Sequence, residues 1–103
     1  MINNYGIRII NLRHTPTPAY DLYMGRANRW RNLEGSKWAN PFFMKNEGMR
    51  EEVYRKYKEY VRSRPDLIAA LPELKNKTLA CWCVPKKCHV MALIEIMEEL
   101  GLD

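Results

Sequence analysis

The chain has 103 residues, a formal net charge of +5 and three cysteines. This length predicts one domain with a single modest core, residues 1–103, and excludes a second catalytic domain. The opening residues are too polar for a secretory signal and no apolar run approaches the roughly 20 residues that cross a bilayer, so we expect a cytoplasmic protein without a membrane partner. In the cytoplasm, an odd number of clustered cysteines favours metal ligands, reactive thiols or buried apolar side chains over disulfides.

The first half of the chain predicts two strands and a long loop. Residues 6–12 are rich in β-branched side chains and precede a polar segment with two prolines, so they form the first strand. Residues 19–24 form a second short strand, which Gly25 ends. Residues 26–46 show neither a period of 2 nor one of 3.6, and their aromatic side chains indicate an ordered, functional loop.

The second half predicts three helices and one strand. Apolar side chains at helical spacing predict a helix over 48–62, and a proline begins a short helix over 65–71. Residues 77–83 form a buried strand, and residues 86–100 form a last helix that stops at Gly101. The order β-β-loop-α-α-β-α predicts an α/β fold, a short sheet with helices packed on it, in which the first and last strands lie side by side.

All three cysteines and one of the two histidines lie within nine residues, from Cys81 to His89. On a strand, Cys81 and Cys83 point to the same face, and Cys88 and His89 fall in the first turn of the next helix. Three interpretations stay open. The four side chains form a Cys3His zinc site; Cys83 or Cys88 is a nucleophilic thiolate, favoured by the helix N-terminus and the neighbouring lysines; or the cysteines are buried apolar residues.

A second group of candidate residues lies in and around the long loop. Gly25 permits a positive φ or a close approach of the backbone, and Arg26 can bind a phosphate or carboxylate with two hydrogen bonds. Trp30 or Trp38 could stack on a base, and Asn40 is extended because a proline follows it. The alternative is that the aromatic side chains fill the core. The candidate ligand-binding residues are Arg13, Gly25, Arg26, Lys37, Trp38 and Asn40.

Five motifs of the chain occur in a characteristic order. They are Tyr23-Met-Gly-Arg26, Ser36-Lys-Trp-Ala-Asn-Pro-Phe42, Arg50-Glu-Glu-Val53, Ser63-Arg-Pro-Asp-Leu67 and Leu79-Ala-Cys-Trp-Cys-Val-Pro-Lys-Lys-Cys-His89. Taken together, these motifs resemble the domain-of-unknown-function family 4326, a group of small phage and prokaryotic proteins. The resemblance runs from about residue 10 to residue 100. It implies a prokaryotic, viral or archaeal setting, with the host cytoplasm as the location of a viral protein, and it brings no activity with it.

Six basic residues stand against two acidic ones between residues 8 and 37, which favours a phosphate-bearing partner. We therefore expect a pocket between the loop and the cysteine cluster that binds a nucleotide or a nucleic-acid end. In an enzyme, Cys83, Cys88 or a bound zinc would be the reactive centre, His89 the acid or base, and Arg26 the anion ligand. The alternatives are a non-catalytic, zinc-stabilised nucleic-acid-binding module and a phage protein that binds a host protein. The oligomeric state is open.

Overall fold

The computed structural model describes residues 3, 5–14, 19–84 and 86–102. In these ranges the strands are β1 (Arg8–Asn11), β2 (Leu22–Tyr23) and β3 (Thr78–Cys81). All three are parallel and form one sheet in the order β1-β3-β2. In the register, Leu79 of the central strand is the partner of Ile9 on one side and of Leu22 on the other. The α/β class and the predicted pairing of the first and last strands are confirmed.

The helices are α1 (Arg50–Arg62), α2 (Pro65–Ala70) and α3 (His89–Glu99), with 3-10 turns at Glu47–Met49 and Leu71–Leu74. Helices α1 and α3 pack against each other. Buried side chains at this contact include Tyr57 and Val61 of α1 and Leu93 of α3. Lys58 also pairs across the two helices with Glu99, at 2.7 Å, but surface ion pairs contribute little, so the apolar faces hold the helices together. Among the described helices, none is long and apolar enough to cross a membrane.

The strands are shorter than predicted, and β3 shows why. The amide of the Asn11 side chain donates to the carbonyl oxygens of Trp82, at 3.2 Å, and Val84, at 2.7 Å. Beyond Cys81, the Asn11 side chain therefore makes the hydrogen bonds that a neighbouring strand would otherwise make. The strand predicted over 77–83 ends two residues early for this reason. The two-proline segment after β1 lies, apart from its first residue, outside the described residues.

The last helix begins at His89, so the prediction that Cys88 lies in its first turn is wrong. Cys88 is the N-cap residue, with φ −120° and ψ 149°. The preceding residues form a separate turn, in which the N–H of Lys86 donates to the carbonyl of Cys83 at 3.0 Å. This turn brings the N-cap back towards the end of β3.

The other end of α3 agrees with the sequence. Gly101 follows the helix with φ +66°, a left-handed conformation that glycine adopts without a Cβ clash. The N–H of Leu102 then donates to the carbonyl of Met97 at 3.1 Å. This hydrogen bond satisfies a carbonyl that the helix itself leaves without a partner.

The parallel sheet decides where the motifs meet. Because the three strands run in the same direction, their carboxyl ends, at Asn11, Tyr23 and Cys81, lie at the same edge. In open parallel sheets the ligand site lies outside this edge, where the connections leave in different directions. The Gly-Arg motif after β2 and the cysteine cluster after β3 are therefore neighbours, although about 60 residues separate them.

Candidate functional site

A cavity of about 490 Å³ opens at the carboxyl edge of the sheet. Its size lies in the range of roughly 300–1,000 Å³ that small-molecule sites occupy. Four stretches of chain form its walls: residues after β2, the 40–44 part of the long loop, the first turns of α1, and residues between β3 and α3. The cavity lining therefore draws on both predicted groups of candidate residues.

Five of the predicted site residues line this cavity. Three of these residues come from the loop region and two come from the cysteine cluster. The structure thus brings together side chains that are far apart in the sequence, at one edge of the sheet. These residues are Gly25, Arg26, Asn40, Cys83 and His89.

Three other predicted ligand-binding residues lie elsewhere. Trp38 is in the core, with 2% of its surface exposed, and its carbonyl accepts a hydrogen bond from the Tyr57 hydroxyl at 2.7 Å. Lys37 is exposed and pairs with Glu73 at 2.6 Å. Arg13 is exposed beyond the end of β1. None of the three predicted residues lines the cavity, and Trp38 matches the core-filling alternative.

Gly25 allows a close approach of the Tyr23 side chain, and its φ is not positive. A Cβ on Gly25 would lie 2.4 Å from the Tyr23 hydroxyl oxygen and 2.7 Å from Cζ. That hydroxyl donates to the carbonyl of Arg26 at 2.7 Å and accepts from the Trp82 indole N–H at 2.8 Å. The ring therefore links the loop after β2 to the segment after β3, and it leaves no room for a larger residue.

We expect Gly25→Ala to lower the free energy of unfolding by about 1–3 kcal/mol, the usual cost of forcing an extra methyl group into a packed site. Urea denaturation followed by circular dichroism measures this. Gly48→Ala is the matched control, because its new Cβ would meet only Asn46 Oδ1, at 3.1 Å, on an exposed side chain that can turn away. Equal losses in the two variants would contradict the close-packing explanation.

Arg26 organises one wall of the cavity. Its Nε donates to the carbonyl of Asn40 at 2.9 Å, its Nη2 donates to the carbonyl of Phe42 at 3.0 Å, and its Cζ lies 3.9 Å from the ring centroid of Phe43. The side chain of Asn40 accepts from the N–H of Phe42 at 2.9 Å. Both predicted ligand-binding residues thus hold the 40–43 loop in place, and direct contact with an anion stays a prediction for them.

The three thiols form a cluster of which one member lines the cavity. Cys88 hydrogen-bonds with both Cys81 and Cys83, and Cys83 is the half-buried one that lines the cavity. The hydrogen bond from Cys88, followed by one from Arg50, lowers the pKa of Cys83 to about 6. The hydrogen bond from Cys88 also lowers the pKa of Cys81, to about 7. The same contacts raise the pKa of Cys88, so that thiol keeps its single proton, which it donates to one neighbouring sulfur at a time.

Arg50 connects the start of α1 to the cysteine cluster. Its Nε and Nη2 both donate to the carboxylate of Glu47 at 2.9 Å, and its Nη1 donates to the carbonyl of Lys87 at 3.0 Å. The hydrogen bond with Arg50 lowers the pKa of Glu47 to about 2. Arg50 is held in one position by these contacts, and it presents a permanent positive charge to Cys83.

His89 connects β2 to α3. Its Nε2 lies 2.7 Å from the carbonyl oxygen of Met24 and must donate, because a carbonyl only accepts. Burial lowers the pKa of the imidazole, so the ring is neutral and Nδ1 is an acceptor. Nδ1 lies 3.6 Å from Cys88 Sγ. Nε2 is therefore engaged inside the protein and Nδ1 faces the Cys88 thiol, and the predicted acid or base role towards a ligand stays a prediction.

Tyr54 contributes a buried hydroxyl to the site. The residue lines the cavity with 6% of its surface exposed, and its hydroxyl has no hydrogen-bond partner among the described residues. The Nζ of Lys87 lies 4.3 Å from the centroid of the Tyr54 ring. A buried hydroxyl without a partner costs about 1–3 kcal/mol, so a polar ligand atom that reached it would remove that cost.

The comparison with known proteins bears on the same part of the chain. A family model described as "Domain of unknown function (DUF4326)" matches residues 10–99. The chain belongs to the DUF4326 family. This confirms the resemblance seen in the motifs, and it places every residue of the cavity wall inside the segment that defines DUF4326.

A viral relative supports this membership. The DUF4326 chain is 48% identical to "Uncharacterized protein R718" of Acanthamoeba polyphaga mimivirus, in a match that covers 74% of this chain and 65% of the relative. The chain thus spans about two thirds of the length of that relative. No solved structure matches the chain significantly.

Reasoning from the sequence missed several residues of the DUF4326 cavity as site residues, among them Arg50, Tyr54 and Lys87. Arg50 and Tyr54 lie on a helix whose pattern is that of an ordinary surface helix. The available signals were the Arg50 motif of the family and the position of Lys87 beside Cys88. Neither signal shows that the first turns of α1 face the end of β3, because that contact is tertiary.

The predicted zinc site is a separate question. Within the described ranges, no three His, Cys, Asp or Glu side chains are arranged so as to hold a metal ion. The donor set itself, three thiols and an imidazole nitrogen, is one that zinc takes in proteins. Zinc binding by Cys81, Cys83, Cys88 and His89 therefore stays a prediction.

Proposed function

We propose that this DUF4326 protein binds a phosphate-bearing ligand of the nucleotide type in the cavity at the carboxyl edge of its sheet. The observation that supports this most directly is the charge of the cavity lining. Three cationic side chains line the cavity and no carboxylate does, within the part of the chain that the structure describes. The N-termini of α1 and α3 lie near these cations, and the dipoles of the two helices favour anions there. The three cations are Arg26, Arg50 and Lys87.

The phosphate is proposed to lie between α1 and the segment after β3. Arg50 and Lys87 supply the charge there, and Tyr54 supplies a buried hydroxyl without a described partner. Glu47 and Glu51 pair with these cations from outside the lining; Glu51 Oε2 lies 2.9 Å from the Nζ of Lys87. These exposed carboxylates hold the cations at the rim and leave a guanidinium and an ammonium next to the cavity.

The base is proposed to lie against the aromatic wall. Phe42, Phe43 and Trp82 line the cavity, and the ring of Trp82 is fixed by its indole hydrogen bond to Tyr23. Phe43 is 73% exposed although Arg26 lies over one face of its ring. Aromatic faces at a basic site are the features on which bases stack. A nucleotide satisfies both ends of the cavity, the apolar one and the cationic one.

Cys83 is proposed as the reactive group of the site, if the protein is an enzyme. It lines the cavity, and Arg50 and Cys88 stabilise its thiolate. Cys88 is buried and keeps its proton, so its proposed role is to position the charge on Cys83. An electrophilic atom of the bound ligand would meet this thiolate at the cavity floor.

Binding of adenosine 5′-monophosphate, with adenosine as the phosphate-free control, tests the proposal. We expect the monophosphate to bind more tightly than adenosine, and Arg50→Gln to weaken its binding about 10- to 150-fold, because a charge-assisted hydrogen bond contributes about 1.5–3 kcal/mol. Isothermal titration calorimetry measures both. Lys37→Gln is the matched control, since this cation lies outside the cavity, and it should leave the affinity unchanged. Equal affinities for the two ligands would show that the cavity does not recognise phosphate.

The distance between Cys88 Sγ and His89 Nδ1 favours the zinc-stabilised module as a second candidate. Zinc bonds of about 2.3 Å to sulfur and 2.0–2.1 Å to nitrogen, at a tetrahedral angle, separate the two ligand atoms by about 3.5 Å. Cys88 Sγ and His89 Nδ1 lie 3.6 Å apart, and the other His89 nitrogen donates to a backbone carbonyl, as zinc-bound histidines do. Elemental analysis decides this point: about one zinc per chain, with loss of the fold in a chelator, would support the module.

A further inference from the structure

Residues 26–35, here called the Trp30 arm, form an ordered loop beside the cavity. Asn28 and Leu33 form an antiparallel bridge in which each N–H donates to the other's carbonyl at 2.9 Å. The side chain of Asn28 accepts from the N–H of Arg31 at 3.2 Å, and Asn32 takes a left-handed φ of +54° to close the turn. The arm thus has its own hydrogen bonds, which fix the residues at its tip.

The tip carries an aromatic ring in solvent. Trp30 is 98% exposed, whereas Trp38 is buried and Trp82 is half-buried in the cavity wall. A fully exposed indole makes no contribution to the core. An ordered tip that presents it instead offers a flat apolar face to a ligand from solution.

The charge around this ring is positive. Arg29 and Arg31, on either side of Trp30, are exposed, and neither forms an ion pair with any residue that the structure describes. From residue 22 to residue 46 the chain contains five basic residues and one acidic residue, Glu34. The alternation Arg-Trp-Arg is therefore an aromatic platform between two cations, the combination that holds single-stranded nucleic acids.

The arm is continuous with the cavity. Ala27 and Asn28 belong to the cavity lining, and the guanidinium carbon of Arg31 lies 5.4 Å from the ring centroid of Trp82, which also lines it. A chain that left the cavity on this side would pass Arg31 before it reached Trp30.

From this arrangement we infer that the ligand is the end of a single-stranded nucleic acid, whose next base stacks on Trp30 and whose phosphates contact Arg29 and Arg31. The inference rests on the proposed function, because the terminal nucleotide occupies the same cavity. Its added content is that recognition extends outside the cavity onto the arm. A free mononucleotide would leave the arm unused.

Fluorescence titrations with 5′-phosphorylated (rA)8 and (dA)8, beside adenosine 5′-monophosphate, test this. We expect an octamer to bind at least tenfold more tightly than the monophosphate, and Trp30→Ala to weaken octamer binding about 5- to 150-fold without changing that of the monophosphate. The matched control is Leu100→Ala, another exposed large apolar residue, which should change neither. The slope of the logarithm of the octamer binding constant against the logarithm of the salt concentration is expected to become shallower by about 1.4 when Arg29 and Arg31 are both replaced by Gln. Each phosphate contact to a single strand contributes about 0.7 to this slope.

The outcomes separate the two proposals. Octamers that bind no more tightly than the monophosphate, or that are insensitive to Trp30→Ala, would overturn the role of the arm and leave the nucleotide cavity standing. Octamer binding that depends on Trp30, with no binding of the monophosphate, would support the arm and overturn the cavity proposal. A Trp30-dependent dimer in sedimentation experiments without nucleic acid would assign the ring to a protein contact and overturn the inference.

Discussion

Trp38→Ala is expected to lower the free energy of unfolding by about 3–5 kcal/mol, the usual cost of removing a large aromatic side chain from a core. Only 2% of Trp38 is exposed, and the Tyr57 hydroxyl donates to its carbonyl, so the surroundings are fixed and cannot collapse freely around the deletion. Proteins of this kind have a free energy of unfolding of about 5–15 kcal/mol, so the variant loses a large part of it. Urea denaturation followed by circular dichroism measures the change.

Trp30→Ala is the matched control, because it removes the same side chain from a 98% exposed position. Its free energy of unfolding should stay within about 0.5 kcal/mol of the parent value. Similar losses in both variants would mean that Trp30 packs against the protein in solution, and this would also remove the basis for a ligand-binding arm. The pair of variants decides which of the two tryptophans is structural.

Alkylation of Cys83 by iodoacetamide is expected to rise with pH around a midpoint near 6, since its pKa lies at about 6. An ordinary cysteine has a pKa of about 8.5, so at pH 6 about half of Cys83 is thiolate against about 0.3% of a free thiol. A less basic thiolate is also a weaker nucleophile, by about tenfold here, so the net advantage at pH 6 is about tenfold. Mass spectrometry of peptides, with fragment ions that separate Cys81 from Cys83, measures the rate at each site.

Variants of the residues that contact Cys83 test the cause of its low pKa. Arg50→Gln and Cys88→Ala each remove a group that stabilises the thiolate, so both should raise the midpoint, whereas Lys37→Gln should not. A midpoint of 8 to 9 in the parent protein would contradict the activated thiol. Protection of all three cysteines that a chelator relieves would indicate zinc. The two measurements together therefore distinguish a reactive thiolate from a metal site.

Local patterns allowed most of the secondary structure to be predicted. The helix over residues 48–62 corresponds to α1 with its preceding 3-10 turn, because its apolar spacing is that of a helix packed on one side. Gly101 ended the last helix as expected. The errors were at the ends of elements, and the error at the end of β3 has a cause distant in the sequence. The side chain of Asn11 ends β3 by bonding to residues more than 70 positions away.

The candidate site was predicted only in part. Gly25, Arg26, Asn40, Cys83 and His89 stand out in the sequence by residue type and spacing, and the parallel sheet gathers them at one edge. Their contacts are different from what residue type alone suggests. Arg26 and Asn40 hold a loop, and His89 holds two elements together, through hydrogen bonds to backbone N–H and carbonyl groups that no side-chain pattern reveals.

The sequence by itself determined the α/β class, the family and the two groups of candidate residues. These follow from periodicity and from motifs, which are local properties of the chain. Only the tertiary structure decided that Trp38 is core and Trp30 is solvent, and that Arg50 reaches the cysteine cluster. Two tryptophans in one irregular loop are equivalent until the loop is packed, and a helical arginine acquires a partner only when its helix is placed beside the end of β3.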